Sequence, residues 1–209
     1  MTMMTIAAPG RMRLFLVLAG LYLAQSIPMY VVAAAVPPIL REQGVSRTTI
    51  GFLSFLMLPL VLKFIWAPAV DRLRPFARAH RASWVFITQV AIALCFIAMA
   101  MITPSDIMSF FAIAFVLSVA LSTQDIATDG YATKYLAEGD RPVGNAIQGG
   151  AIAAGVVIGG TGSLLLYHYW GWQVVTLTMA AISLAVLPVT LAMREDDGLE
   201  TTATRPRAS

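Results

Sequence analysis

Charge is what this sequence is short of. Only 12% of its 209 residues are Asp, Glu, Lys or Arg, against about 25% in an ordinary soluble domain. A chain so poor in charge cannot clothe a water-facing surface of its own size, which argues against a soluble enzyme and a disordered chain. Cysteine is scarcer still. The single Cys95 sits in an apolar stretch, so neither a disulfide framework nor a Cys-based metal site is available. The two histidines, His80 and His168, are far apart in sequence. There is no H-E-x-x-H pattern, and no glycine loop following a strand to cradle phosphate. No metal, cofactor or bond-making chemistry is expected.

What is abundant is apolar: 58% of the residues are hydrophobic, and the mean hydropathy is +0.77. Residues 14–40, 82–105 and 107–124 carry no charge at all, and neither do the 52 residues of 142–193. A single helix of that last length would extend roughly 78 Å, against a hydrocarbon core of about 30 Å. The run must turn back once. Tyr167-His168-Tyr169-Trp170-Gly171-Trp172 is the place, because aromatics suit the membrane–water boundary and Gly171 permits a tight reversal. Six membrane spans follow, near 14–36, 50–70, 84–103, 107–130, 144–167 and 173–193. They imply an all-α membrane protein with a tail over 1–13, a six-helix bundle over 14–193 and a charged tail over 194–209. The first apolar stretch outruns the roughly 7–15 residues of a signal peptide's core and reads as an uncleaved span.

The net charge of +3 and pI of about 9.3 reflect topology. With the N-terminus inside, eleven Lys and Arg fall in inside segments (Arg11, Arg13, Arg72, Arg74, Arg78, Arg81, Lys134, Arg141, Arg194, Arg205 and Arg207) and two outside, Arg41 and Arg47. That asymmetry puts both termini in the cytoplasm. The basic residues then meet anionic lipid, and no aromatic-interleaved basic patch suggests nucleic acid.

Polar residues are shared unevenly among the spans. The third and sixth are almost purely apolar. The first holds Tyr22, Gln25 and Ser26 on one face with Met29, beside Pro28; these either bond to neighbouring helices or line a cavity. The fourth holds Gln124, Asp125 and Asp129, and the fifth opens with Asn145 and Gln148 and is dense in glycine, with Gly155-x-x-x-Gly159 at helix-packing spacing. Spans 1, 2, 4 and 5 lining a cavity, with 3 and 6 against lipid, is the arrangement these patterns suggest. Ala24-Gln25-Ser26-Ile27 also echoes Thr123-Gln124-Asp125-Ile126, hinting at a three-plus-three inverted repeat.

Lys63 in span 2 and Asp125 in span 4 sit at similar depth. A lone charge at the bilayer centre costs at least about 2.5–3.5 kcal/mol, so opposite charges at one depth point to a pair. The alternatives are a structural salt bridge, Lys63 snorkelling to the interface alone, or Asp125 as a proton acceptor or solute contact tuned by Lys63. Asp129 lies one turn nearer the cytoplasm, within reach of Arg72 or Arg74, and is expected to form a latch with one of them.

Trp66-Ala67-Pro68-x-x-Asp71-Arg72-Leu73-Arg74 resembles the loop between helices 2 and 3 of the major facilitator superfamily, commonly G-x-x-x-D-R-x-G-R-R. Asp71 and Arg72 match its Asp-Arg pair; Ala67, Arg74 and Pro75 replace the first Gly, the second Gly and the next Arg. Leu62-Lys63-Phe64-Ile65-Trp66 and Gln124-Asp125-Ile126-Ala127-x-Asp129-Gly130 resemble the branch that includes muropeptide permeases, acetyl-coenzyme A transporters and siderophore permeases. Gly20-Leu21-Tyr22-Leu23-Ala24-Gln25-Ser26-Ile27-Pro28 and Leu40-Arg41-Glu42-Gln43-Gly44 lean toward the siderophore side. The resemblance covers one six-helix half of a twelve-helix fold.

It implies a secondary transporter in a bacterial cytoplasmic membrane, taking up a small polar solute by alternating access, coupled to protons. It also implies a second six-helix half, from a separate chain or a second copy. Tyr22, Gln25, Ser26, Lys63, Gln124 and Asp125 would line the solute and proton pathway; Asp71, Arg72, Arg74 and Asp129 would form the gating loop. The contrasting expectation is a membrane scaffold that does not transport, or a permease fragment.

Overall fold

The computed structural model describes residues 9–76, 79–193 and Glu195. Arg78, Arg194 and the tails before Pro9 and after Glu195 lie outside the described residues. Helix α1 runs over Pro9–Tyr30, widens into a π turn at Val31–Ala35 and continues as Val36–Glu42. Pro28 lies inside it and has no N–H to return to the carbonyl one turn back; the loosened turn follows directly. Gly44, at a φ of 82°, makes the exit.

Helix α2 is a chain of short pieces: Arg47–Gly51, Phe52–Met57, Leu58–Leu62, Lys63–Ile65 and Ala67–Arg72. Ser46 caps it, its Oγ accepting from the Thr49 N–H at 3.1 Å. Pro59 and Pro68 each stand in the first turn of a new piece, where proline's missing N–H leaves no helical hydrogen bond unmade. Lys63 therefore sits in a tight turn between two prolines. By contrast, α3 (His80–Ala100) and α4 (Ile107–Tyr135) are regular throughout.

The chain then enters α5, which comprises Arg141–Gly155, a π turn at Val156–Gly162 and residues 163–170. Gly171 breaks the helix at φ 78° and ψ −179°, a conformation that L side chains avoid. Helix α6 follows over 172–185 and Leu187–Ala192. Three contacts prove the reversal. Gln43 Nε2 donates to the Tyr167 hydroxyl at 3.0 Å, and Trp172 Nε1 to the Met99 carbonyl at 2.8 Å. At the opposite end Arg13 Nε donates to the Ala192 carbonyl at 3.1 Å. Of the helical stretches long and apolar enough to cross a membrane, the last, Glu138–Ala192, is 55 residues, and it is two antiparallel rods. The described chain is a six-helix bundle with the turn at Gly171 where the aromatic cluster suggested it.

The helices run past the expected spans, to Glu42, from Arg47 and His80, and on to Tyr135. Charges mark where the apolar stretches stop, but a helix needs only hydrogen bonds to continue into water.

Helix α1 packs on α5, α2 on α4, and α3 between α4 and α6. The α1–α5 contact depends on glycine. A Cβ on Gly159 would stand 2.2 Å from the Ile27 carbonyl oxygen, and one on Gly155 2.6 Å from Ser26 Cβ. Small residues are what let helices approach where lipid gives no hydrophobic drive. One core cluster joins Phe96, Phe110, Met99 and Trp172 at the Gly171 end; another joins Leu18, Leu21, Val85 and Tyr131 at the end holding both chain termini of the bundle. Helix α3 keeps an exposed apolar face at Phe86, Ile87, Leu94 and Ile97, but it is more deeply packed than a rod lying wholly against lipid. Its apolar window is 56% buried, against 17% for α2, because α4 and α6 flank it.

Candidate functional site

Asp125 is 7% exposed in the middle of α4, and two helices satisfy it. Gln25 Nε2 of α1 donates to its Oδ1, and Lys63 Nζ of α2 forms an ion pair with its Oδ2. One turn along α4, Asp129 faces the same ammonium at 3.6 Å and accepts a hydrogen bond from the Tyr22 hydroxyl at 3.4 Å. Trp66 Nε1 donates to Thr123 Oγ1 at 3.2 Å, fastening the weakly packed α2 to α4. One cation thus serves two carboxylates, and Gln25 and Tyr22 supply the remaining donors. Such a cluster meets the demand that an intramembrane charge be paired or hydrogen-bonded.

Three cavities meet around it. One, about 360 Å³, is lined by Tyr22, Gln25, Ser26, Lys63, Asp125 and Gln148, among others. A second, about 550 Å³, lies between α4 and α5 and is bounded by Tyr22, Asp129, Thr133, Arg141, Asn145 and Gln148. A third, about 570 Å³, holds Lys63, Asp71, Arg81, Asp129 and Lys134 between α2 and α4. Tyr22 and Gln148 are common to the first two, Lys63 to the first and third. Through these shared residues the cavities adjoin one another from mid-bundle to the end bearing Arg141 and Lys134.

The structure brings together Tyr22, Gln25, Ser26, Lys63 and Asp125. Ser26 does double duty, lining the cavity edge and packing on Gly155. Gln124 does not join them. It is fully buried and accepts from Thr88 Oγ1 of α3 at 3.4 Å. Neighbours on a helix point about 100° apart, so with Asp125 facing α1 and α2, Gln124 must face the other way.

The expected latch is also different. Asp129 bonds to Lys63 and Tyr22, and among the described residues Arg72 and Arg74 are exposed with no hydrogen bond or ion pair. Asp71 pairs instead with Arg81 Nη2 of α3 at 2.8 Å, and Arg81 Nη1 reaches the Ile126 carbonyl of α4 at 3.3 Å. A Cβ on Gly130 would strike that guanidinium, 2.1 Å from Nη1. Glu195 then closes the start of α3, accepting from the Arg81 and Ala82 backbone N–H groups at 2.9 and 2.8 Å. A carboxylate is well placed at a helix N-terminus. Arg81 and Glu195 went unrecognised because one read as a loop charge and the other as part of a tail. Arg141, Asn145 and Gln148 were also missed as site residues, although their i, i+4, i+7 spacing signals a common face.

The family model of the Major Facilitator Superfamily matches residues 14–209. The chain belongs to the major facilitator superfamily. Its six helices are one half of that fold. An uncharacterised protein of Haemophilus influenzae is 31% identical over 176 residues, 83% of this chain and 41% of that protein. The anhydromuropeptide permease of Escherichia coli K12 is 28% identical over 174 residues, 82% of this chain and 35% of the permease. Putative transporter AmpG 4 of Rickettsia conorii is 27% identical over 166 residues, 77% of this chain and 40% of the relative. This superfamily chain therefore spans about two fifths or less of the curated relatives it matches.

Proposed function

We propose that this chain forms one six-helix wall of a proton-coupled permease that takes up a small polar solute across a bacterial cytoplasmic membrane. The carrying observation is the Lys63–Asp125–Asp129 cluster at the meeting of three cavities. A structural ion pair has no need of a polar cavity on each side; a solute or proton path does. Both termini face the cytoplasm on this reading, since the end carrying Arg13, Arg81, Lys134 and Arg141 is the basic one. The opposing wall comes from a second six-helix half, a separate chain or a second copy.

The names of the Escherichia coli and Rickettsia relatives favour a muropeptide as solute. The siderophore expectation rests on the first helix and the Leu40–Gly44 loop alone and takes second place. Uptake of labelled anhydromuropeptide into vesicles bearing the chain tests the reading. Uptake that an uncoupler abolishes, and that Asp125→Asn reduces at least tenfold, is the expected result. Solute binding with no flux under any gradient would favour a scaffold.

A further inference from the structure

We propose that the α5 face bearing Arg141, Asn145 and Gln148 is the docking surface for a carboxylate of the solute, with the Arg141 guanidinium as its counter-ion. The proposal rests on the transport reading and adds to it a residue set and a chemical class. The three side chains share one helical face and line the cavity of about 550 Å³. Asn145 and Gln148 have no hydrogen-bond partner among the described residues. The Arg141 contact to Glu138 is 3.8 Å long, and that carboxylate is 89% exposed, a pairing of little energetic worth.

Other cations nearby have partners of their own: Lys63 with Asp125, Arg81 with Asp71, Arg11 with Asp140, and Lys134 over the Tyr135 ring at 5.1 Å. Asp129, the carboxylate on this cavity's wall, already has Lys63 and Tyr22. The cavity therefore offers a guanidinium fork held only by the exposed Glu138 carboxylate, and two side-chain amides with no partner among the described residues. A guanidinium binds a carboxylate through two parallel N–H donors, and side-chain amides suit hydroxyl and amide groups. Gln148 also lines the neighbouring cavity with Lys63 and Asp125. A solute held by its acid at Arg141 would extend its neutral part toward the charge cluster.

The test is binding, which is separate from flux. Two ligand pairs are titrated onto the purified chain in lipid nanodiscs: an anhydromuropeptide and a carboxylate siderophore, each as the acid and as its carboxamide. The unaltered chain should bind the acid of one pair at least about tenfold more tightly, equivalent to about 1.4 kcal/mol. Arg141→Ala should erase that preference by weakening acid binding far more than carboxamide binding, while Arg141→Lys keeps part of it. Arg141 is exposed at the first turn of α5, and an unchanged melting temperature confirms that the variants fold. A preference surviving in Arg141→Ala, equal binding of acid and amide, or no binding of either pair would overturn the proposal. Absence of flux with this pattern intact would count against the transport reading alone.

Discussion

Lys63 holds two carboxylates, and that unequal division has a measurable consequence. Removing the ammonium leaves Asp125, 7% exposed, and Asp129 facing each other along one helical face. Removing the Asp125 charge leaves Lys63 with Asp129 at 3.6 Å. Breaking a buried ion pair on one side costs about 3–5 kcal/mol in general; partial exposure of Lys63 places this pair near the lower figure. Lys63→Met should therefore lower the melting temperature in detergent well beyond Asp125→Asn. The double variant should recover part of the Lys63→Met loss, because one carboxylate then remains where two stood. Equal losses from the two single variants would mean that the cluster is not organised around Lys63.

Among elements, the α1–α5 contact is the most exacting. Gly159→Ala drives a methyl to 2.2 Å from the Ile27 carbonyl oxygen, so the helices must separate; overpacking of this kind costs about 1–3 kcal/mol. Gly149 lies on the same helix with nothing within 4 Å of its Cβ position. Gly149→Ala should be neutral, or stabilising by up to about 1 kcal/mol through helix propensity. Thermal unfolding of the two variants side by side decides the matter, and similar effects would remove glycine packing as the explanation. The Gly155–Gly159 spacing made this contact legible in the sequence. So did the equal depth of Lys63 and Asp125, because depth along a span follows from a fixed rise per residue. Azimuth does not follow in that way. Which way Gln124 turns, and whether Asp129 meets Arg74 or Lys63, depends on how neighbouring helices are rotated, and a single sequence carries that only as a face pattern. Arg81 and Glu195 were hidden for a related reason: their ties cross from the start of α3 to α2, α4 and the segment after α6.

At the scale of the whole molecule, one side of the bundle is unsuited to lipid. The α2 window is apolar yet only 17% buried, and beside it lie Lys63 and Asp129, with 31% and 43% of their side chains exposed. Lipid against those charges would cost several kcal/mol, so water in a protein-walled cavity has to cover them. The chain spans 35–41% of the curated relatives' lengths, which leaves room in such proteins for a wall of this kind. Cysteine chemistry offers a direct test, since Cys95 is the one native thiol and is buried. In a Cys95→Ser background, Val61→Cys places a thiol on α2 at a position 66% exposed, and Leu94→Cys places one on α3 at 59%. In native membranes a maleimide–benzophenone, coupled to the thiol and then irradiated so that it inserts into a nearby C–H bond, should join the Val61 position to a second polypeptide and leave the Leu94 variant monomeric, because α2 borders the cavity and Leu94 points away from it on the exposed face of α3. An adduct of twice the chain mass would identify a second copy as the opposing wall, and one of another mass a separate half. Equal capture from both positions, or none from either, would mean that the α2 face has no protein opposite it, and the permease reading would lose its second wall.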